Sequence, residues 1–302
     1  MIRRSEGVGG MTDDVLKRAY AVVSAEADIR DASQALAEAA VAMLRADAKI
    51  KQGANPDARG AFILTRSGVK FHLLFPRAED VRLEDIAGSL AAKARWNGSA
   101  QRFYSVGSHS IHVRDLVRWG FASAPEWGPF GAVPHEHEAV AKAVALLHDG
   151  HEYVLPDVPR PIKPLLLGWD AIEEGLDAAI FGAFGLAERV TPEIDAVVAW
   201  ADDVALALEA AAFGPSGIMQ YVQMPSLPPV GPPPEPTAQS EASLLTALLD
   251  VQRAFAPVAA EDAVEDVVES APLNESRRSW RAVGSGEAKA PSKWESMLEG
   301  EA

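Results

Sequence analysis

Glu138-Ala139-Val140-Ala141-Lys142-Ala143-Val144-Ala145-Leu146-Leu147-His148-Asp149-Gly150 reads as a helix that runs into a pair of metal-ligand types. Val140, Val144 and Leu147 recur at helical spacing and mark a buried face. His148 and Asp149 follow at its end. Adjacent helical residues point about 100° apart, so both reach one centre most easily where a helix frays into a loop. Gly150 is expected to supply that ending, because glycine accepts left-handed backbone angles at little cost. An imidazole nitrogen and a carboxylate oxygen are donors that a catalytic divalent cation uses.

Working outward, further helices are predicted on both sides. Leu83–Arg95 places Ile86, Ala87, Leu90 and Ala94 on one face. Ser105–Trp119 has Val106, Ile111, Val113, Leu116 and Val117 as its apolar set and carries His109. Trp169–Phe184 repeats Ile172, Leu176 and Ile180 at four-residue intervals. The fifth helix is capped by Thr191, opened by Pro192 and stopped at Gly214, and it carries Asp202. Three helices thus present His109, His148-Asp149 and Asp202 to one central point, a natural arrangement inside a bundle. Phe62–Thr65 and Val69–Leu74, parted by Arg66-Ser67-Gly68, read as a small β-hairpin.

The expected class is mainly α, in three segments. Residues 1–58 form an N-terminal helical extension, whose apolar anchors from Val15 to Leu44 suit a helical hairpin or an oligomerisation arm. Residues 59–222 form the catalytic bundle. Residues 223–302 form a Pro-rich linker, a possible amphipathic helix over Ser240–Phe255, and an acidic tail read as largely disordered. The last segment carries 13 acidic and 6 basic side chains, about half the excess of a chain whose net charge is −15. Its composition suits recruitment of a protein partner. An acidic surface argues against a grip on duplex nucleic acid. The chain has 302 residues and no cysteine, so any metal must be held by His, Asp and Glu. It has no run of 18 apolar residues and no apolar core behind Met1, so no membrane association and a cytoplasmic location are expected.

The ordered motifs carry a resemblance. They are Arg95-Trp96-Asn97-Gly98, Phe103-Tyr104-Ser105-Val106-Gly107-Ser108-His109-Ser110, Leu146-Leu147-His148-Asp149-Gly150-His151-Glu152, Asp157-Val158-Pro159-Arg160-Pro161-Ile162-Lys163, and Ala201-Asp202 with Glu209 beyond. Over roughly residues 60–215 the chain resembles the HD-domain phosphohydrolases. The closest branch holds the bacterial 5′-deoxynucleotidases and the phage dATP triphosphohydrolases. The resemblance implies an HD-type helical bundle and a nucleotide phosphohydrolase that uses Mn, Co, Mg or Zn. His109, His148, Asp149 and Asp202 match its metal ligands. Glu152 matches the carboxylate that positions or deprotonates the attacking water, and Asp157 a second acid near that water. Arg95 matches a phosphate-binding arginine. Lys163 is a candidate for phosphate contact or for bracing its loop, and Trp96 and Asn97 for contact with a base. Three positions depart from the pattern: Ser108, Pro156 and His151. His151 is a candidate for an added ligand or hydrogen bond, or for a surface role.

Other features stay open at this level. His135 and His137 suit either a second metal site or a polar helix start. Trp119, Phe121, Trp127 and Phe130 lie in or beside a Gly/Pro-rich loop that is a candidate cover for the pocket. The rival to an enzyme is a non-catalytic nucleotide-sensing or interaction protein. A homo-oligomer is expected in either case.

Overall fold

A computed structural model describes residues 35–36, 39–45, 59–166 and 168–255. Most of the expected N-terminal extension and the acidic tail beyond residue 255 lie outside these residues. The protein is mainly helical, with a two-stranded hairpin of β1 (Phe62–Leu64) and β2 (Lys70–His72). Among the described residues its helices beyond residue 58 are α1 (Leu83–Ala92), α2 (Val106–Ser123), α3 (Glu138–Leu147), α4 (Trp169–Ala183), α5 (Pro192–Phe213) and α6 (Glu241–Phe255), and residues 39–45 are also helical. Among the described residues no helix is long and apolar enough to cross a membrane.

The chain divides into two compact units. Of the described residues, one draws on those up to 62, with 72–75 and 160–175, the other on 63–71, 76–159 and those from 176 to 255. In the smaller unit the Arg45 guanidinium donates to the carbonyls of Leu74 and Ala171. There too the buried Glu173 accepts from Trp169 Nε1 at 2.6 Å and pairs with Lys163 at 3.0 Å.

The larger unit is built on α2. Ser105 caps this helix, its Oγ accepting from Ser108 N at 3.0 Å. Val106, Val113, Leu116 and Val117 are fully buried in it. Each such side chain stabilises the fold by roughly 1.5–3 kcal/mol. α3 and α5 pack along α2. Gly107 marks where α1 and α6 come close, since a Cβ there would lie 2.8 Å from Leu244 and 3.2 Å from the Ala91 nitrogen. α5 begins at its Thr191 cap and Pro192 and stops at Gly214, as its sequence signals require.

Two helix ends differ from the sequence expectation. α1 stops at Ala92, because the chain turns extended at Lys93 and Ala94 bridges to Ser105 instead. α2 runs on past Trp119 to Ser123, because Gly120 does not stop it but makes room for the Phe130 ring, which a Cβ there would clash with. Residues 223–239 do not form helix or strand, yet they are held to the bundle. Pro234 O faces His112 Nε2 at 2.9 Å, Pro236 O accepts from Arg102, and Gln239 N donates to Ser108 Oγ at 2.9 Å. α6 follows with Leu244 and Leu248 buried.

The aromatic side chains near Trp119 do not form a cover. Trp119, Trp127 and Phe130 gather around Trp200 of α5, and Phe130 also meets Phe121 edge-on. Trp200 precedes Asp202 by two residues, so it projects about 200° around the helix from it. The cluster fills the far side of α5.

Candidate metal centre

α2, α3 and α5 each bring a candidate ligand to one point. His109 Nε2 lies 3.1 Å from Asp202 Oδ1, 3.2 Å from His148 Nε2 and 3.6 Å from Asp149 Oδ2. His148 Nε2 lies 3.3 Å from Asp149 Oδ2 and 3.9 Å from Asp202 Oδ1. Metal bonds of about 2.1 Å set neighbouring ligands about 3.0 Å apart in an octahedron and about 3.4 Å apart in a tetrahedron. These five separations therefore lie near the spacing that one divalent cation imposes.

The tautomers agree. His148 Nδ1 donates to Ala145 O at 2.8 Å, and His109 Nδ1 donates to Glu209 Oε1 at 2.7 Å. A neutral imidazole with its proton on Nδ1 keeps a lone pair on Nε2. Both Nε2 atoms face the common centre. His109, His148 and Asp202 offer ligand atoms within 4.8 Å of one another, and so do Asp149, His151 and Glu152.

Local backbone explains the His148-Asp149 pair. His148 keeps helical angles as the cap of α3, and Asp149 turns out at φ −100°, ψ 21°. The chain then tightens into a 3₁₀ turn over Gly150–Tyr153. Gly150 is not among the positive-φ glycines, contrary to the sequence expectation; the tighter turn ends the helix without a left-handed residue. The turn is held from α1: Ser89 Oγ donates to Tyr153 O at 2.7 Å, and the Lys93 ammonium donates to the carbonyls of Glu152 and Leu155.

Glu209 stands seven residues after Asp202, two turns on and on the same face of α5. The fully buried Glu209 carboxylate also accepts from Arg95 Nε at 3.1 Å. Arg95 Nη1 lies 3.5 Å from Asp149 Oδ2. Arg95 thus ties the candidate ligand Asp149 to Glu209. Its loop is pinned where Gln101 donates through N and Nε2 to the carbonyls of Phe213 and Gly214. Trp96, Asn97 and Gly98 all take positive φ, 59°, 50° and 74°. For a bulky tryptophan this is strained backbone, of order 1–3 kcal/mol, set beside Arg95. The half-buried Trp96 has a buried Nε1 without a hydrogen-bond partner among the described residues, and Asn97 is exposed.

The electrostatics separate the acids. Burial opposes charge on Glu209, but Arg95 and His109 hold its carboxyl well below the usual range. Asp149 is also depressed against its burial, chiefly by His148 and then by His109 and Arg95. Glu152 goes the other way: burial first, then Asp149 and Asp157, push it up to about 8. Burial and Arg95 disfavour the His109 cation, yet Glu209 and Asp202 outweigh them and raise its pKa to about 9. Asp157 is half-buried and close enough to Glu152 to act on its charge.

The sequence-predicted residues therefore sort plainly. His109, His148, Asp149 and Asp202 come together, with Arg95, Glu152 and Asp157 around them. Lys163 pairs with Glu173 at 3.0 Å in the smaller unit. His135 is exposed and pairs with Glu138 at 3.3 Å, as a polar helix start would. Glu209 and Lys93 were given no role from sequence.

Fold and site define a mainly helical protein with a buried histidine–carboxylate cluster able to hold a metal ion. No family model matches the chain. It is 35% identical over 148 residues to an uncharacterized protein of Rhodobacter capsulatus, spanning 48% of this chain and 68% of that one. It is 32% identical over 149 residues to the uncharacterized protein YfdR of Escherichia coli K12, spanning 49% of this chain and 70% of that one. The chain belongs to the family of these two proteins.

Proposed function

We propose that the protein is a metal-dependent phosphohydrolase of the HD-domain type, acting on deoxynucleoside mono- or triphosphates. One observation carries this reading. Two imidazoles with tied Nδ1 protons turn their Nε2 atoms on the same centre as Asp149 and Asp202, beside the buried acid Glu152.

A divalent cation held by His109, His148, Asp149 and Asp202 would supply positive charge for phosphoryl oxygens and acidity for water. The remaining chemistry belongs to the chain. Burial, Asp149 and Asp157 push Glu152 up to about 8 in the metal-free protein, and a cation beside Asp149 would favour its ionised form, able to take a proton from water near neutral pH. Its Oε2 is buried and accepts no hydrogen bond from the described residues. Asp157 keeps that affinity for protons high. Arg95 is held positive, and its two carboxylate contacts leave N–H donors of the guanidinium for a phosphate. Positioning and charge neutralisation suffice for in-line attack on phosphorus, so no serine or cysteine nucleophile is needed.

The test is a deoxynucleotide panel assayed with Mn²⁺, Co²⁺ and Mg²⁺ for release of phosphate or polyphosphate. Turnover is expected, and Asp149→Ala should abolish both metal uptake and turnover. Nucleotide binding without hydrolysis under any metal would favour a sensing protein and overturn the enzyme reading. Turnover retained by Asp149→Ala would overturn the ligand set.

A further inference from the structure

We infer that Asp149, His151 and Glu152 form a second divalent-cation site that shares Asp149 with the first. The inference rests on the metal-binding part of the proposed function; Glu152 would ligate through one carboxylate oxygen and keep the other for a water proton.

The geometry is local and built. Asp149, His151 and Glu152 each offer a ligand atom, all within 4.8 Å of one another. Three donors evenly placed around one ion at about 2.1 Å stand about 3.0–3.6 Å apart, so closure takes shifts of under about 1 Å for each. The 3₁₀ turn aids this convergence, because at three residues per turn residues 149 and 152 lie on the same side, with His151 one step round from them. His151 and Glu152 are buried, with 5% and 3% of their surface exposed.

His151 has the second-sphere arrangement of a ligand. Its Nδ1 donates to Asp177 Oδ1 at 2.8 Å, which fixes the ring and places the lone pair of the neutral imidazole on Nε2. The same device, an acceptor on Nδ1, orients His109 and His148. Glu152 supplies an independent sign. Its Oε2 is buried without a hydrogen-bond partner among the described residues, and a buried oxygen left with no partner is costly unless a ligand meets it. Lys93 does not serve, since its ammonium is spent on the carbonyls of Glu152 and Leu155. Asp149 can hold both ions because Oδ2 is the oxygen beside His109 and His148, and a carboxylate has a second. One imidazole and two carboxylates suit Mn²⁺, Fe²⁺ or Zn²⁺.

The experiment is Mn²⁺ titration of the full chain, read by bound-metal stoichiometry and by electron paramagnetic resonance. Wild type is expected to take up two Mn²⁺ per chain and to show a spin-coupled pair. His151→Ala should take up one, with an uncoupled six-line spectrum. His151→Asn keeps a side-chain N–H for Asp177 while removing the Nε2 donor, and it should behave as His151→Ala does. It tests the site if the alanine variant fails to fold. One Mn²⁺ in wild type, lost with Asp149→Ala and unchanged in either His151 variant, would overturn the second site and leave the first standing. Two Mn²⁺ in both wild type and His151→Asn would also overturn it. No uptake by wild type would overturn both sites.

Discussion

Glu209→Ala should damage the centre without removing a single ligand. In the folded protein the Glu209 carboxylate is fully buried between Arg95 Nε at 3.1 Å and His109 Nδ1 at 2.7 Å. Deleting it leaves a buried guanidinium with one partner fewer and frees the His109 ring to turn or change tautomer. Breaking a buried ion pair from one side costs about 3–5 kcal/mol. In a unit of this size each kcal/mol lowers the melting temperature by about 2–4 °C, so a fall of roughly 6–20 °C is expected. Losing the carboxylate behind a ligating imidazole costs about 10–100-fold in metal affinity. Thermal melts of the metal-free protein read the first effect and Mn²⁺ titration calorimetry the second. Glu209→Gln separates them: it keeps the shape and a hydrogen-bond acceptor, so it should regain part of the stability and less of the affinity. Wild-type Mn²⁺ affinity in a destabilised Glu209→Ala would make Glu209 a packing partner of Arg95 only. An unchanged melting temperature would refute the burial argument itself.

Three further outcomes follow from neighbouring contacts. Lys93→Met removes the donor to the Glu152 and Leu155 carbonyls; it should lower kcat about tenfold or more while metal content stays at the wild-type level, and an unchanged kcat would show that the turn holds its place without it. Leu244→Ala deletes a side chain that is 1% exposed and should cost about 2–5 kcal/mol in chemical denaturation, so a loss under 1 kcal/mol would mean that α6 is a dispensable appendage. His109 is raised from 6.5 to about 9, so in the metal-free protein its stabilising contribution is full below pH 6.5 and fades as pH climbs through about 9. A cation must expel that proton, so apparent Mn²⁺ affinity should rise up to tenfold per pH unit toward pH 9; calorimetry in buffers of different ionisation enthalpy counts the proton, and none released at pH 7 would contradict the assignment.

Helix identity was legible because periodicity and caps are local signals. Thr191, Pro192 and Gly214 bracket α5, and Val140, Val144 and Leu147 mark the face of α3. The four candidate ligands were also legible, since each combines a ligand-type side chain with a place at or within a helix. Glu209 carried a readable signal that went unused: seven residues from Asp202 means the same face, and a carboxylate there can only look toward the same neighbours. Lys93 carried none. Its partners are the carbonyls of Glu152 and Leu155, and a carbonyl looks alike in every residue, so no spelling of the sequence announces that contact. The proline-rich stretch misled for a related reason. Prolines cannot donate from the backbone, which suggests a spacer, but their carbonyls remain full acceptors. Pro234 and Pro236 use theirs on His112 and Arg102, and His112 in turn lies 3.9 Å from Glu209. A segment whose composition reads as a linker is thereby fastened one residue away from the carboxylate that orients His109.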